Sequence, residues 1–253
     1  MNNRMNRGMV DEYQAPKFES WPGPRWLAPV TKAARSGQLR QQFHEDVAQR
    51  APIDDSKAAS VLMLVTGAET GSRLPDDAAV LLTHRSPTMR QHSGQIAFPG
   101  GRIDPEDSHA LAAALREARE EVGLDAAAVT PLADIGRTFI GATGAPVHTI
   151  LAYAPTPPDV TVASPVEVDE LFMVPFKELI DPCNRLHLAG EKWRGPAFRI
   201  RDYIIWGFTA QILHLVIHRA GWERPWDHSH TLDLKAALRA SRNSEISQQY
   251  KEA

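Results

Sequence analysis

The sequence predicts an α/β (α+β) sandwich. Three observations point there: short apolar runs of strand length, helical segments interspersed among them, and a Gly/Pro-bearing loop between the first two runs. The 253 residues are ample for one buried core with appendages at both ends. Hydrophobic residues at 43% and charged residues at 23% are those of an ordinary globular chain.

Residues 1 to about 28 carry Asn, Arg, Pro and Trp without periodicity, and Glu19-Ser20-Trp21-Pro22-Gly23-Pro24 reads as a turn. A short amphipathic helix is expected from Ala28 to about Ala48. Ser60 to Val65 and Ala78 to Thr83 read as buried strands, and Thr66 to Asp77 between them reads as a loop. Gln95 to Phe98 is a short strand that stops at Pro99-Gly100-Gly101. Pro105 to Val122 is the clearest helix, with Asp107 or Ser108 to cap its start and Gly123 to end it. Further strands are expected at Ala133 to Ile140, Val147 to Ala154 and Leu171 to Val174. Helices follow from Pro175 to Ile180 and from Ile204 to Ala220.

The net charge of −3 gives no reason to expect nucleic acid as a partner. No apolar run approaches about 18 residues, so no membrane span is expected. The single Cys183 leaves no internal disulfide framework and fits a reducing, cytoplasmic setting.

The chemistry is concentrated on the helix before Gly123. At roughly 100° per residue, Leu111, Leu115, Ala118 and Val122 form one apolar stripe. Glu117, Glu120 and Glu121 cluster opposite it at the spacing that brings side chains together. Taken alone, such a face is usually solvated, with an Arg116–Glu120 pair. Three neighbouring carboxylates repel one another, however, and a hard divalent cation such as Mg²⁺ or Mn²⁺ would relieve that repulsion.

The preceding residues separate the two readings. Phe98-Pro99-Gly100-Gly101 followed by Arg116-Glu117-Ala118-Arg119-Glu120-Glu121-Val122-Gly123-Leu124 resembles the Nudix box. The resemblance departs in one place. Asp107 lies six residues after Gly101 but nine before Arg116, so the loop is one residue longer than the general pattern and its acid is Asp, leaving Asp107 or Glu106 for that position.

Upstream, LLTHRSPTMRQHSGQIAFPGG (residues 81–101) looks like the extra motif of the coenzyme A diphosphatase branch of Nudix hydrolases. The resemblance covers roughly residues 58 to 218. It implies a Nudix α/β/α sandwich with a mixed central sheet and a catalytic loop-helix-loop. It divides the chain into an N-terminal extension (1–50), the Nudix domain (51–220) and a C-terminal extension (221–253). The activity it implies is hydrolysis of coenzyme A, or an acyl derivative, to 3′,5′-ADP and 4′-phosphopantetheine. Other diphosphates such as ADP-ribose or NADH are the alternative substrates, and a non-catalytic binding module is the alternative class. A homodimer is compatible with the fold.

The site residues follow from the matched positions. Glu117, Glu120 and Glu121 are the catalytic acids and metal ligands, with the Gly100 carbonyl as a further ligand by resemblance. Arg116 is expected to orient a carboxylate. Arg85 and Arg90 can grip phosphate oxygens, with Ser86, Gly94 and Phe98 completing the substrate-binding set. A further acid is expected just before a late strand, where Glu170 is the first choice and Glu167 the second.

The remaining conspicuous residues carry weaker signals. His214 and His218 have helical spacing but no evident third zinc ligand. Asp227, His228 and His230 read as solvated tail. Cys183 has no motif around it. The six Trp residues read as packing, with one able to stack on adenine.

Overall fold

In a computed structural model, the described residues are 18, 20–39, 57–139, 145–191 and 193–245. Strand β1 (Ala59–Thr66) has no charged residue, as expected of a strand covered on both faces. Parallel strand β6 (Pro146–Ala154) pairs with it along its whole length. Two strands share its other edge. β2 (Ala79–Arg85) pairs with it at Val65 and Thr66, and β4 (Gly100–Arg102) at Ala59, Ser60 and Val61. The full sheet has seven strands in the order β3-β2-β1-β6-β5, with β4 beside β1 and β7 beside β2. Here β3 is Ile96–Ala97, β5 is Thr130–Phe139 and β7 is Val168–Pro175.

Period-2 alternation divides the core. Leu62, Leu64 and Leu81 face helix α2 (Ala110–Val122), meeting Leu111, Ala114, Ala118 and Val122. Met63, Val65, Val80 and Leu82 face the other way, toward α1 (Ala28–Arg35) and α4 (Gly207–Arg219). Each leucine buried here stabilises by about 1.5–3 kcal/mol. A mixed sheet thus lies between helical layers. α3 (Phe176–Leu179) follows β7. A second, four-stranded sheet has the order β10-β9-β8-β11, from β8 (Arg185–Ala189), β9 (Arg194–Ile200), β10 (Tyr203–Ile205) and β11 (Thr231–Asp233). It packs with the short α5 (Leu234–Arg239).

Several boundaries differ from the sequence reading. Helix α2 begins at Ala110, not Pro105, and its N-cap is His109, whose Nδ1 accepts from the Ala112 amide at 3.0 Å. Asp107 is not available to cap, because it is held in a turn by the Asp104 amide (2.9 Å) and by Arg116. Gly123 ends the helix in the left-handed region at φ 66°, as expected. The segment read as one helix from Ile204 starts as strand β10, which turns back on β9; helix α4 begins only at Gly207. β11 pairs in parallel with β8, so residues on either side of the 220/221 boundary share one sheet. The expected helix beyond Leu39 lies outside the described residues. Among the described residues no helix is long and apolar enough to cross a membrane.

Candidate active site

The two glycines before α2 have different tasks. Gly100 has φ 155°, and a Cβ there would lie 2.4 Å from the Ser60 carbonyl oxygen and 2.6 Å from Val61 Cα. Only glycine fits against β1. A Cβ on Gly101 would instead lie 2.5 Å from the carboxyl carbon of Glu117. Gly101 therefore leaves the space in which that carboxylate stands.

Glu121 is 1% exposed. Its Oε2 accepts from the Gly100 amide at 3.0 Å, and its Oε1 lies 3.4 Å from Arg85 Nη1. Burial pushes this carboxyl up to about 7, against the pull of Arg85 and the Gly100 amide. Burial also raises Glu117, opposed by Arg116. Glu120 is largely exposed at 57%.

Arg116 organises the outer side of the cluster. Its Nε and Nη2 donate to the two oxygens of Asp107 at 3.1 and 2.9 Å. Nη1 donates to Glu117 at 2.8 Å and to Glu120 at 3.2 Å, and Nη2 also reaches the Arg102 carbonyl oxygen at 3.0 Å. The hydrogen bonds from Arg116 hold Asp107 below the ordinary carboxylate range, and Arg116 itself is raised in return. Asp107 thus braces Arg116, while Glu106 is exposed.

A loop after β6 closes the C-terminal end of α2. The amides of Ala163 and Ser164 donate to the Glu121 carbonyl oxygen at 3.0 and 3.3 Å, and Thr161 donates to that of Val122 at 3.1 Å. These bonds satisfy carbonyls that a helix end leaves open. The same loop carries Glu167, whose carbonyl oxygen accepts from the Ser86 amide at 2.8 Å. The Glu167 carboxylate raises both Glu117 and Glu121 through its charge.

Glu170 is not brought to this cluster. Strand β7 begins at Val168, so Glu170 is inside it rather than before it. Leu171 and Met173 pack on the α2 side, while Phe172 and Val174 face the other core. Glu170 shares that second face and accepts a 2.6 Å hydrogen bond from the Tyr203 hydroxyl. Pairing with β2 shifts register between His84 and Arg85, so alternation counted from Leu171 places Glu170 with Phe172 but does not extend to Glu167, which precedes the strand.

The residues expected to bind substrate separate in the same way. Arg85 lies beside Glu121, and its buried Nε has no hydrogen-bond partner among the described residues. Arg90 is exposed on the turn after β2. Ser86 is buried and ties that turn through Thr88, 2.7 Å between hydroxyl oxygens. Gly94 has φ 73°, and the C-terminal segment packs against it. Phe98, at 2% exposed, is sealed in the core facing away from α2, so it cannot meet substrate there.

The donor set suits a hard cation in kind, being carboxylate oxygens on one helix face. As the side chains stand, no three His, Cys, Asp or Glu groups among the described residues converge closely enough to hold an ion. Arg116, Arg85 and the Gly100 amide occupy the oxygens instead.

Away from this site, His214 Nδ1 accepts from Arg185 at 2.8 Å and His218 pairs with Glu223 at 2.9 Å. Asp227 anchors a turn through Ser229, and His228 lies 4.1 Å from the Trp226 ring. Cys183 is exposed. All six Trp rings pack against other aromatic rings.

Residues 56–198 match the NUDIX domain family. An uncharacterized Nudix hydrolase NudL of Photorhabdus laumondii is 37% identical over 147 residues, covering 53% of this chain and 73% of that protein. The protein of the same name in Escherichia coli K12 is 33% identical over 187 residues, covering 69% and 85%. A crystal structure of a Nudix hydrolase from M. smegmatis, RenU, is 28% identical, covers 51% of this chain and 76% of that one, and aligns with a TM-score of 0.37.

Proposed function

This chain belongs to the Nudix hydrolase family, and from that premise we propose that it cleaves the diphosphate of coenzyme A or its acyl derivatives. Nudix hydrolases act on diphosphate bonds of nucleoside diphosphate derivatives and generally need a divalent metal ion. One observation carries the finer reading. Arg85, one of two arginines in the motif that resembles the coenzyme A diphosphatase branch, stands 3.4 Å from Glu121, and its Nε has no hydrogen-bond partner among the described residues. A guanidinium beside the acidic cluster suits a phosphate oxygen.

In this proposal Glu117, Glu120 and Glu121 would hold Mg²⁺ or Mn²⁺, with the Gly100 carbonyl, taken from the resemblance, as a further ligand. When bound, the ion neutralises phosphoryl charge and acidifies a water molecule. Glu121 is fixed by the Gly100 amide, and Glu117 stands in the space left by Gly101. Arg116 and Asp107 hold the outer carboxylates in register. Glu167, rather than Glu170, would accept a proton from attacking water; its charge acts on Glu117 and Glu121, whereas Glu170 bonds Tyr203 on the other face. Arg85 and the exposed Arg90 orient the diphosphate, so positioning and charge provide most of the rate. A cytoplasmic setting agrees with this reading.

The test is a product assay on coenzyme A, ADP-ribose and NADH with Mg²⁺ or Mn²⁺, resolved by mass. The proposal expects 3′,5′-ADP and 4′-phosphopantetheine from coenzyme A at the highest kcat/KM of the three. Faster turnover of ADP-ribose or NADH would reassign the substrate. No turnover of any would support a binding module.

A further inference from the structure

His84 stands next to Arg85 on β2 but points to the opposite side of the sheet, and it is buried. Each ring nitrogen faces an acceptor: Nδ1 lies 2.5 Å from Asp169 Oδ1, and Nε2 lies 2.9 Å from the Asn243 carbonyl oxygen. A neutral imidazole has one N–H and one lone pair. A carbonyl oxygen has no proton to give, so Nε2 must donate. The contact with Asp169 then requires a second proton, and an imidazole is a stronger base than a carboxylate. The groups around the ring agree with a positive charge. Asp169 and Glu170 approach from β7, the Tyr203 ring centroid lies 5.1 Å away on β10, and the Arg242 guanidinium reaches Glu170 only at 3.9 Å.

The second partner of His84 belongs to a segment that leads back to the site. Asn243 is fully buried; its side chain accepts from the Ile204 amide at 2.8 Å and donates to the Ile204 carbonyl oxygen at 2.9 Å. The Arg242 amide donates to the Asp202 carbonyl oxygen at 2.9 Å. A Cβ on Gly94 would lie 2.1 Å from the Asn243 carbonyl oxygen, the same atom that receives His84. Residues 241–245 therefore lie across β10 and against the end of the turn 86–94, which carries Arg90 and starts at Arg85.

We propose that His84 is a doubly protonated clasp that fastens the segment 241–245 to the turn 86–94 and so acts as a positioning residue for Arg85 and Arg90. The consequence for Arg85 and Arg90 rests on the phosphate-binding reading above; the clasp itself does not.

Nitrogen-15 NMR of labelled histidine in the whole chain at neutral pH tests the protonation. The proposal expects an N–H on both ring nitrogens of His84; a single N–H would overturn it. Hydrogen exchange tests the fastening. In His84→Phe, the amides of Ile204 and Arg242 should exchange at least about tenfold faster, the worth of one charge-assisted hydrogen bond. Unchanged exchange would overturn the clasp. Should His84→Phe not fold, Asp169→Asn replaces it: its amide can donate to Nδ1, so the ring should become neutral while the segment stays protected. Two N–H groups persisting in that variant would contradict the argument. In turnover, His84→Phe should raise KM severalfold and change kcat less, and an unchanged KM would remove the positioning role. If the wild-type chain turns over no diphosphate, the substrate reading fails while the NMR and exchange results still decide the clasp.

Discussion

Arg116 and Asp107 are joined by two parallel hydrogen bonds, 3.1 Å from Nε and 2.9 Å from Nη2, and this fork fixes the arginine that holds Glu117 and Glu120. Asp107→Ala should cost about 1.5–3 kcal/mol of stability, the range for hydrogen bonds to charged groups, and weaken divalent-cation binding. Denaturant unfolding and calorimetric titration measure the two effects. Because Arg116 holds Asp107 below the usual carboxylate range, this contribution is present above the range where a free Asp titrates and is lost as pH falls through the folded value. Arg116→Lys should not restore the arrangement, since an ammonium cannot make the fork.

The two glycines should fail differently. Gly100→Ala forces a positive-φ residue against the β1 backbone, and should destabilise by about 2–4 kcal/mol. Gly101→Ala has the Glu117 carboxylate as its nearest obstacle, the far end of a flexible side chain, so it should leave unfolding nearly unchanged while lowering kcat/KM at least about tenfold. Equal loss of stability in the two variants would contradict this division.

Glu167 and Glu170 should separate in kinetics. Glu167→Gln should lower kcat by about 10²–10⁴-fold, the usual range for a general base. Glu170→Gln should change kcat little, because its partner is Tyr203 on the other face. Steady-state rates of the two variants measured side by side check the assignment.

His214 gives a pH dependence away from the active site. Burial and the charge of Arg185 push it down to about 4, whereas a free histidine titrates near about 6.5. On acidification the unfolded chain takes up that proton first, so stability falls as pH drops from about 6.5 toward about 4. His214→Gln keeps an acceptor for Arg185 and should flatten that part of the decline. Urea midpoints of the two proteins at pH 7 and pH 5 give the comparison.

The catalytic helix was legible because its signals are local. Apolar periodicity, Gly123 and the Gly100-Gly101 pair lie within one short stretch, and the helix places the three acids by its own geometry. The N-cap was misread because Asp107, a good capping residue by type, is taken by an arginine nine positions away. Glu170 was misplaced because the phase of β7 depends on where pairing with β2 begins, at Val168. The second sheet was missed for a similar reason. Its strands run 3–7 residues, are interrupted by Gly195 and Pro196, and pair with partners distant in sequence, as β8 does with β11. Gly100 and Gly101 read as a turn because glycine weakens strand propensity, yet they pair with β1 as β4.

The central claim joins the acidic cluster to one substrate, and a single measurement addresses both parts: mass-resolved products of coenzyme A incubated with Mg²⁺ or Mn²⁺, for the wild-type chain and for Glu121→Gln. The account expects 3′,5′-ADP and 4′-phosphopantetheine from the wild type. It expects a loss of at least about 10²–10³-fold in the variant, whose fold is kept. No 3′,5′-ADP from the wild type, or equal rates from the two proteins, would contradict it.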